Sequence, residues 1–97
     1  MNEGNLIPDQ LPNTQSSPSP SAEAIQEFLS TKLADLMKIK RNEIDITKTY
    51  EYYGLSSMES VLLIADLEVF LDRSIDATIL WDYPTIQSLS IYLANQK

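Results

Sequence analysis

Between Ser57 and Leu71 apolar side chains recur at helical intervals on two opposite sides, and this limits the available folds more than any other feature of the chain. At roughly 100° per residue, Leu63, Ile64, Leu67, Phe70 and Leu71 gather on one side. Met58, Leu62, Ala65 and Val69 gather nearly opposite, spaced i, i+4, i+7 and i+11. A strand alternates every second residue and makes neither stripe. The segment therefore predicts a helix whose larger stripe is buried against other elements. The second stripe has two readings. It is a contact surface for a partner, or the preceding loop or the following short helix packs over part of it. The partner reading is the stronger for Met58 and Leu62 and the weaker for Val69.

This helix has a well-marked start. Gly54 supplies a turn, and Ser56-x-x-Glu59 fits a capping box in which Ser56 caps the helix and Glu59 reaches back. Ser57 then stands at the first helical position with its hydroxyl unused by the cap. Unpaired N–H groups and the positive end of the helix dipole lie beside it, a setting that suits a phosphate.

The remaining elements follow from the same kind of pattern. A first helix is expected to start near Pro20 or Ser21, since proline is favoured at the first helical position and Glu23 suits the first turn. Ile25, Phe28, Leu29, Leu33, Leu36 and Met37 give it one apolar face, and Lys38, Lys40 and Arg41 suit its negative end. Residues 42–56 read as a long loop with Ile44, Ile46, Tyr50 and Tyr53 turned inward; a short strand there has no obvious partner. A short third helix is expected from Asp76 to about Leu80 with Asp76 as its cap. Asp82-Tyr83-Pro84 breaks the chain, and Thr85 caps a last helix that buries Ile86, Leu89, Leu93 and Tyr92. Trp81 and Tyr83 read as anchors of the short helix in the core rather than as a ligand-stacking pair. The sum is an all-α protein: a small four-helix bundle with three longer helices, a short third helix and a long first loop.

Composition excludes much chemistry. The chain of 97 residues allows one small domain. It has no Cys and no His, which removes disulfides, thiolate catalysis and Cys/His metal sites. Without His, and with no Lys nearby in sequence, Ser57 has no base to make it a nucleophilic catalyst. Asp66 and Glu68 are two residues apart and cannot share a helix face. Gly4 and Gly54 are too few for a phosphate loop or a dinucleotide fingerprint. No apolar run approaches the ~20 residues of a membrane span, and the N-terminus shows neither the basic nor the apolar region of a secretory signal. Residues 1–20, rich in Asn, Gln, Ser and Pro, read as a disordered tail. The initiating Met points to a natural start and a free-standing protein; a domain excised with its linker from a larger protein would look much the same.

The net charge of −7 argues against nucleic-acid binding, which needs clustered Lys and Arg. From residue 51 to residue 82 the chain carries Glu51, Glu59, Asp66, Glu68, Asp72, Asp76 and Asp82 against Arg73 alone. This surrounds Ser57 with acid. Charge by itself supports equally a docking surface for basic partners and a solvated face that keeps the protein soluble.

Two stretches carry a family resemblance. Tyr53-Gly54-Leu55-Ser56-Ser57-Met58 resembles the Gly-Leu-Asp-Ser-Leu signature of acyl carrier proteins, in which the serine carries 4′-phosphopantetheine. Trp81-Asp82-Tyr83-Pro84-Thr85-Ile86, followed by Leu89 and Tyr92-Leu93-Ala94, resembles the aromatic-Asp-Tyr-Pro-Thr lead into the last helix of polyketide-type carrier domains. The resemblance covers roughly residues 22–95, both motifs stand at the family's separation, and it makes 21–97 an acyl carrier domain.

The resemblance implies that Ser57 is the cofactor-binding residue and that the chain transports rather than catalyses. A phosphopantetheinyl transferase would attach the arm from coenzyme A, using magnesium, and the arm would supply the thiol that the polypeptide lacks. An acyl-loading enzyme, either an acyl-AMP ligase or an acyltransferase, would charge that thiol as a thioester. Synthase or tailoring enzymes of polyketide, hybrid natural-product or specialised-lipid biosynthesis would follow. The implied setting is a cytoplasmic monomer. The implied docking surface comprises Leu55, Ser56, Met58, Glu59, Leu62, Ala65 and Val69; many carriers have an acid where this chain has Leu62. The chain departs from the signature at Ser56, where the family usually has Asp. This preserves a cap but removes a charge that some transferases read. Gly54-Leu55 favours an acyl over a peptidyl carrier. The alternatives are a peptidyl or aminoacyl carrier, and an unmodified carrier-like interaction module.

Overall fold

A computed structural model describes residues 20–96. The tail expected over residues 1–20 lies, apart from Pro20, outside the described residues. In chain order the elements are α1 (Ala22–Met37), 3-10 turns at Arg41–Glu43 and Glu51–Tyr53, α2 (Ser57–Leu71), α3 (Ile79–Asp82) and α4 (Ile86–Asn95). The expected helical bundle is observed, with α1 packed most extensively on α4 and then on α2. Ile25, Leu29 and Leu33 of α1, Leu63, Ile64 and Leu67 of α2, and Ile86, Leu89 and Leu93 of α4 form its centre. Each such side chain contributes about 1.5–3 kcal/mol on burial.

Helix ends refine the expectations. Ser21 is the N-cap of α1, accepting from the Ala24 N–H at 3.1 Å, so Pro20 precedes the cap rather than opening the helix. The basic cluster does not serve the dipole of α1. Lys38 is the left-handed C-cap (φ 58°), and the last turn holds no base. Arg41 instead forks onto Glu27, with Nε and Nη2 donating at 3.0 and 2.9 Å. A bidentate carboxylate is a better partner for guanidinium than a diffuse helix end.

The long loop is tied down at both turns. Ile44 and Tyr50 are buried, with Ile46 and Tyr53 half-buried, as expected. The missing strand partner is the segment before α4. The Tyr50 N–H donates to the Pro84 carbonyl (3.1 Å), the Gln87 N–H donates to the Ile46 carbonyl (3.0 Å), and Thr49 and Thr85 form an isolated antiparallel bridge.

The core stripe of α2 is buried at Leu63, Ile64 and Leu67, and Leu71 is half-buried. Phe70 departs from expectation: it lies at the rim, stacked on Phe28 of α1 with centroids 4.3 Å apart. Asp72 ends α2 in the left-handed region (φ 56°), and the Glu68 carboxylate accepts from the Ile75 N–H at 2.6 Å.

The third helix begins two residues later than the cap at Asp76 predicts, with Thr78 at the cap position and Ile79 as its first residue. The Asp76 carboxylate accepts from both the N–H and the hydroxyl of Thr78 at 2.9 Å, closing a turn ahead of the helix. The same side-chain chemistry makes an N-cap or a free-standing Asx turn, and here the turn forms. At α4, Thr85 caps by accepting from the Ser88 N–H at 3.0 Å.

Candidate functional site

The site grows from the start of α2. The Ser56 hydroxyl accepts from the Glu59 N–H at 3.1 Å, and the Glu59 carboxylate accepts from the Ser56 N–H at 2.9 Å. One turn on, the Ser60 hydroxyl donates to the Ser56 carbonyl at 2.9 Å. Of the three serines in residues 56–60, two are thus engaged in holding the helix start. Ser57, exposed at the first helical position, keeps its hydroxyl unengaged among the described residues. The Ser57 and Met58 N–H groups also remain outside the helix ladder and the cap.

Beside Ser57 opens a cleft of about 440 Å³. One wall is Ser57, Ser60 and Val61 of α2; the other is Ala77, Thr78, Leu80 and Trp81 of α3 and its lead-in; Thr49, Tyr50, Glu51, Leu55 and Pro84 close it. The Gly54 turn (φ 82°) swings the long loop into this position, because a left-handed residue is needed to end the Glu51–Tyr53 turn and start α2 at once. Burial pushes the Tyr50 phenol well above the usual tyrosine range, so it stays protonated; its hydroxyl has no partner among the described residues.

The residues expected to dock partners divide in two. Met58, Leu62, Ala65 and Val69 are exposed, at 75% for Met58, 50% for Leu62 and 82% for Val69, so neither loop nor α3 covers the second stripe. Leu55, Ser56 and Glu59 do structural work: Leu55 packs on the core and lines the cleft, and the other two make the cap. The acidic surround is likewise partly structural. Besides Glu59, Glu68 and Asp76, Asp66 pairs with Lys32 at 3.6 Å.

Trp81 is the main correction. Expected in the core, it is 84% exposed at the cleft rim. A single-turn helix has one buried side, which Leu80 takes, and the adjacent residue is turned by roughly 100° into solvent. Tyr83 does anchor inward, stacked on Tyr92 at 4.2 Å. Sequence reasoning also missed Val61, 57% exposed and part of the cleft wall; its place one turn after Ser57 was the available signal.

The arrangement fits a serine-linked phosphopantetheine: an accessible hydroxyl, two N–H groups for the phosphate, and an adjacent groove. Among the described residues, it offers no group of acids placed to hold a metal.

Comparison with known proteins agrees with this geometry. The family described as "Phosphopantetheine attachment site" matches residues 27–93. The chain is 26% identical over 88 residues to polyketide synthase PksL of Bacillus subtilis, covering 91% of this chain but only 2% of that protein's length. It is 30% identical to acyl carrier protein TtuC of Teredinibacter turnerae, covering 79% of this chain and 88% of TtuC. Among solved structures, a free-standing peptidyl carrier protein from Acinetobacter baumannii superposes with a TM-score of 0.72 at 32% identity, over 75% of this chain and 91% of that one.

Proposed function

Since the chain belongs to the phosphopantetheine-attachment family of carrier proteins, we propose that Ser57 holds its 4′-phosphopantetheine arm and that the cargo is an acyl group. Proteins of this family carry and present; they do not catalyse. When bound, the group supplies the terminal thiol that a chain without cysteine lacks.

The observation that carries the assignment is the free Ser57 hydroxyl between two engaged neighbours. Attachment exchanges the Ser57 O–H bond for an O–P bond, with the nucleotide portion of coenzyme A leaving. The chain has no His to take the proton, and we assign its removal to the transferase. The first-turn N–H groups of α2 would hold the phosphodiester, where the helix dipole favours negative charge. Ser56 and Glu59 hold the helix start rigid, and the cleft gives the arm a surface to fold against.

An acyl cargo is favoured by Gly54-Leu55 ahead of the serine pair and by the apolar side chains of the cleft, Leu55, Val61, Leu80 and Trp81. Polyketide or related secondary metabolism is the family setting in which PksL falls. Within it, we assign loading to a fatty acyl-AMP ligase and place the protein in the cytoplasm with its transferase and coenzyme A. The exposed Met58–Leu62–Ala65–Val69 stripe is the surface offered to these enzymes.

The test is to incubate the apo protein with coenzyme A and a broad-specificity transferase, then map the modified peptide by mass spectrometry. Ser57 should carry the arm and Ser57→Ala should abolish it. Ser56→Ala should keep the modification while losing about 0.5–2 kcal/mol of stability with the cap. An arm persisting in Ser57→Ala would refute the assignment.

A further inference from the structure

The fold leaves one aromatic side chain unused. Phe28 stacks on Phe70 and Tyr83 on Tyr92, Tyr52 meets Tyr53 edge-on, and Tyr50 is buried. Trp81 is neither paired with another ring nor buried, and no large apolar side chain among the described residues is more exposed. Its backbone does serve the fold: the Trp81 N–H donates to the Thr78 carbonyl at 2.9 Å, in the turn that opens α3. An indole held in water on a fixed backbone is a ready contact surface. Covering it removes a large apolar area from water, and only two side-chain torsions have to be ordered.

Position selects the guest. Trp81 and Ser57 stand on facing walls of one cleft, and Val61, also exposed, lies on the Ser57 side. The indole is in solvent, so a group tethered at Ser57 meets it at the rim without entering the core. Tethering also decides the competition. A short flexible arm presents its end at an effective concentration on the order of millimolar, whereas a partner protein must arrive from solution. The methyl and methylene groups of a pantetheine arm suit the ring face, and its amide carbonyls suit the indole N–H.

We propose that Trp81 is a positioning residue for the loaded arm: its indole packs on the arm and the first part of the acyl chain at the cleft rim, and so shields the thioester from solvent. This deepens the Ser57 reading and rests on it, because the arm reaches the rim from Ser57. Val61 on the facing wall supplies a second apolar contact.

The experiment uses the full chain as the apo protein, with the arm, and with an octanoyl-charged arm. A broad-specificity transferase prepares the last two from coenzyme A and octanoyl-coenzyme A, and peptide mass verifies attachment at Ser57. Trp81 is the single tryptophan, so tryptophan emission reports this position alone. Quenching is measured with acrylamide, which is neutral and is not repelled by a chain of net charge −7. The quenching constant should fall by roughly half from the apo to the octanoyl form, since a guest on one face of the ring leaves the other open. Thioester cleavage by hydroxylamine should be roughly two- to fivefold faster in Trp81→Ala than in the wild type, following the fraction of time the thioester is uncovered, and Trp81→Phe should restore most of the protection. An arm at Ser57 with equal quenching in every form, or equal cleavage in wild type and Trp81→Ala, overturns the proposal alone. The quenching measurement needs no variant, so it decides even where Trp81→Ala fails to fold. Slower enzymatic loading of Trp81→Ala with unchanged wild-type quenching would assign the indole to a partner and likewise overturn the proposal. An arm found at another residue overturns the attachment reading and this proposal together.

Discussion

At the residue scale, Tyr50 and Trp81 are set apart by burial. The Tyr50 phenol is held neutral by burial, whereas in the unfolded chain it ionises near pH 10.0. Above that pH the unfolded state binds fewer protons than the folded one, so stability falls as pH rises; below it, this group makes no difference. Denaturant midpoints taken from about pH 8 to pH 11 should therefore drop less steeply in Tyr50→Phe than in the wild type. At neutral pH the substitution should be neutral or stabilising, because it removes a buried donor without an acceptor. Trp81 calls for the opposite expectation from the one its motif invites. Exposed at the rim, it contributes little to the core, so Trp81→Ala should change stability by no more than ~0.5 kcal/mol in thermal or chemical unfolding. A loss of several kcal/mol would restore Trp81 as an anchor.

At the scale of elements, α2 presents two faces with different work. Leu67 is fully buried and Leu62 half exposed, five residues apart in sequence and turned roughly 140° from each other around the helix. Leu62→Glu should cost at most ~0.5 kcal/mol, while Leu67→Glu should unfold the domain, since it would bury an unpaired charge. Unfolding curves of the two variants check this, and equal loss would refute the two-faced helix. Loading kinetics of Leu62→Glu with the cognate enzyme test its docking role separately: transfer should slow, because the contact gains a desolvation penalty. The boundaries of α2 were legible in the sequence because its caps and period are local: Ser56, Glu59 and fifteen helical residues lie within one stretch. Helix α3 was less legible. Four residues are too few for a periodic signal, and Asp76 closes a turn by the same side-chain chemistry that would cap a helix.

At the scale of the molecule, the core closes within the described residues. The α1 N-terminus is capped by its own Ser21, and its first buried residue is Ile25. A chain beginning at Pro20 should thus keep the melting temperature and helical circular dichroism of the full protein, and should accept the arm equally well. Large losses in either signal would show that residues before Pro20 pack on the bundle. The loop of residues 42–56 is what makes the bundle more than a set of helices. Its bonds to Pro84 and Gln87 hold Tyr50 and Leu55 beside α3, and the cleft exists only because that loop is docked.

The order of helices, the apolar faces, the capping box and the singling out of Ser57 were determined by the sequence alone. Each depends on residues within a turn or two of one another, where spacing and side-chain chemistry suffice. Tertiary structure alone decided the cleft, the exposure of Trp81, the orphaned hydroxyl of Tyr50 and the pairing of Arg41 with Glu27. Those depend on which residues from distant parts of the chain fill the space around a side chain, and no local period carries that information.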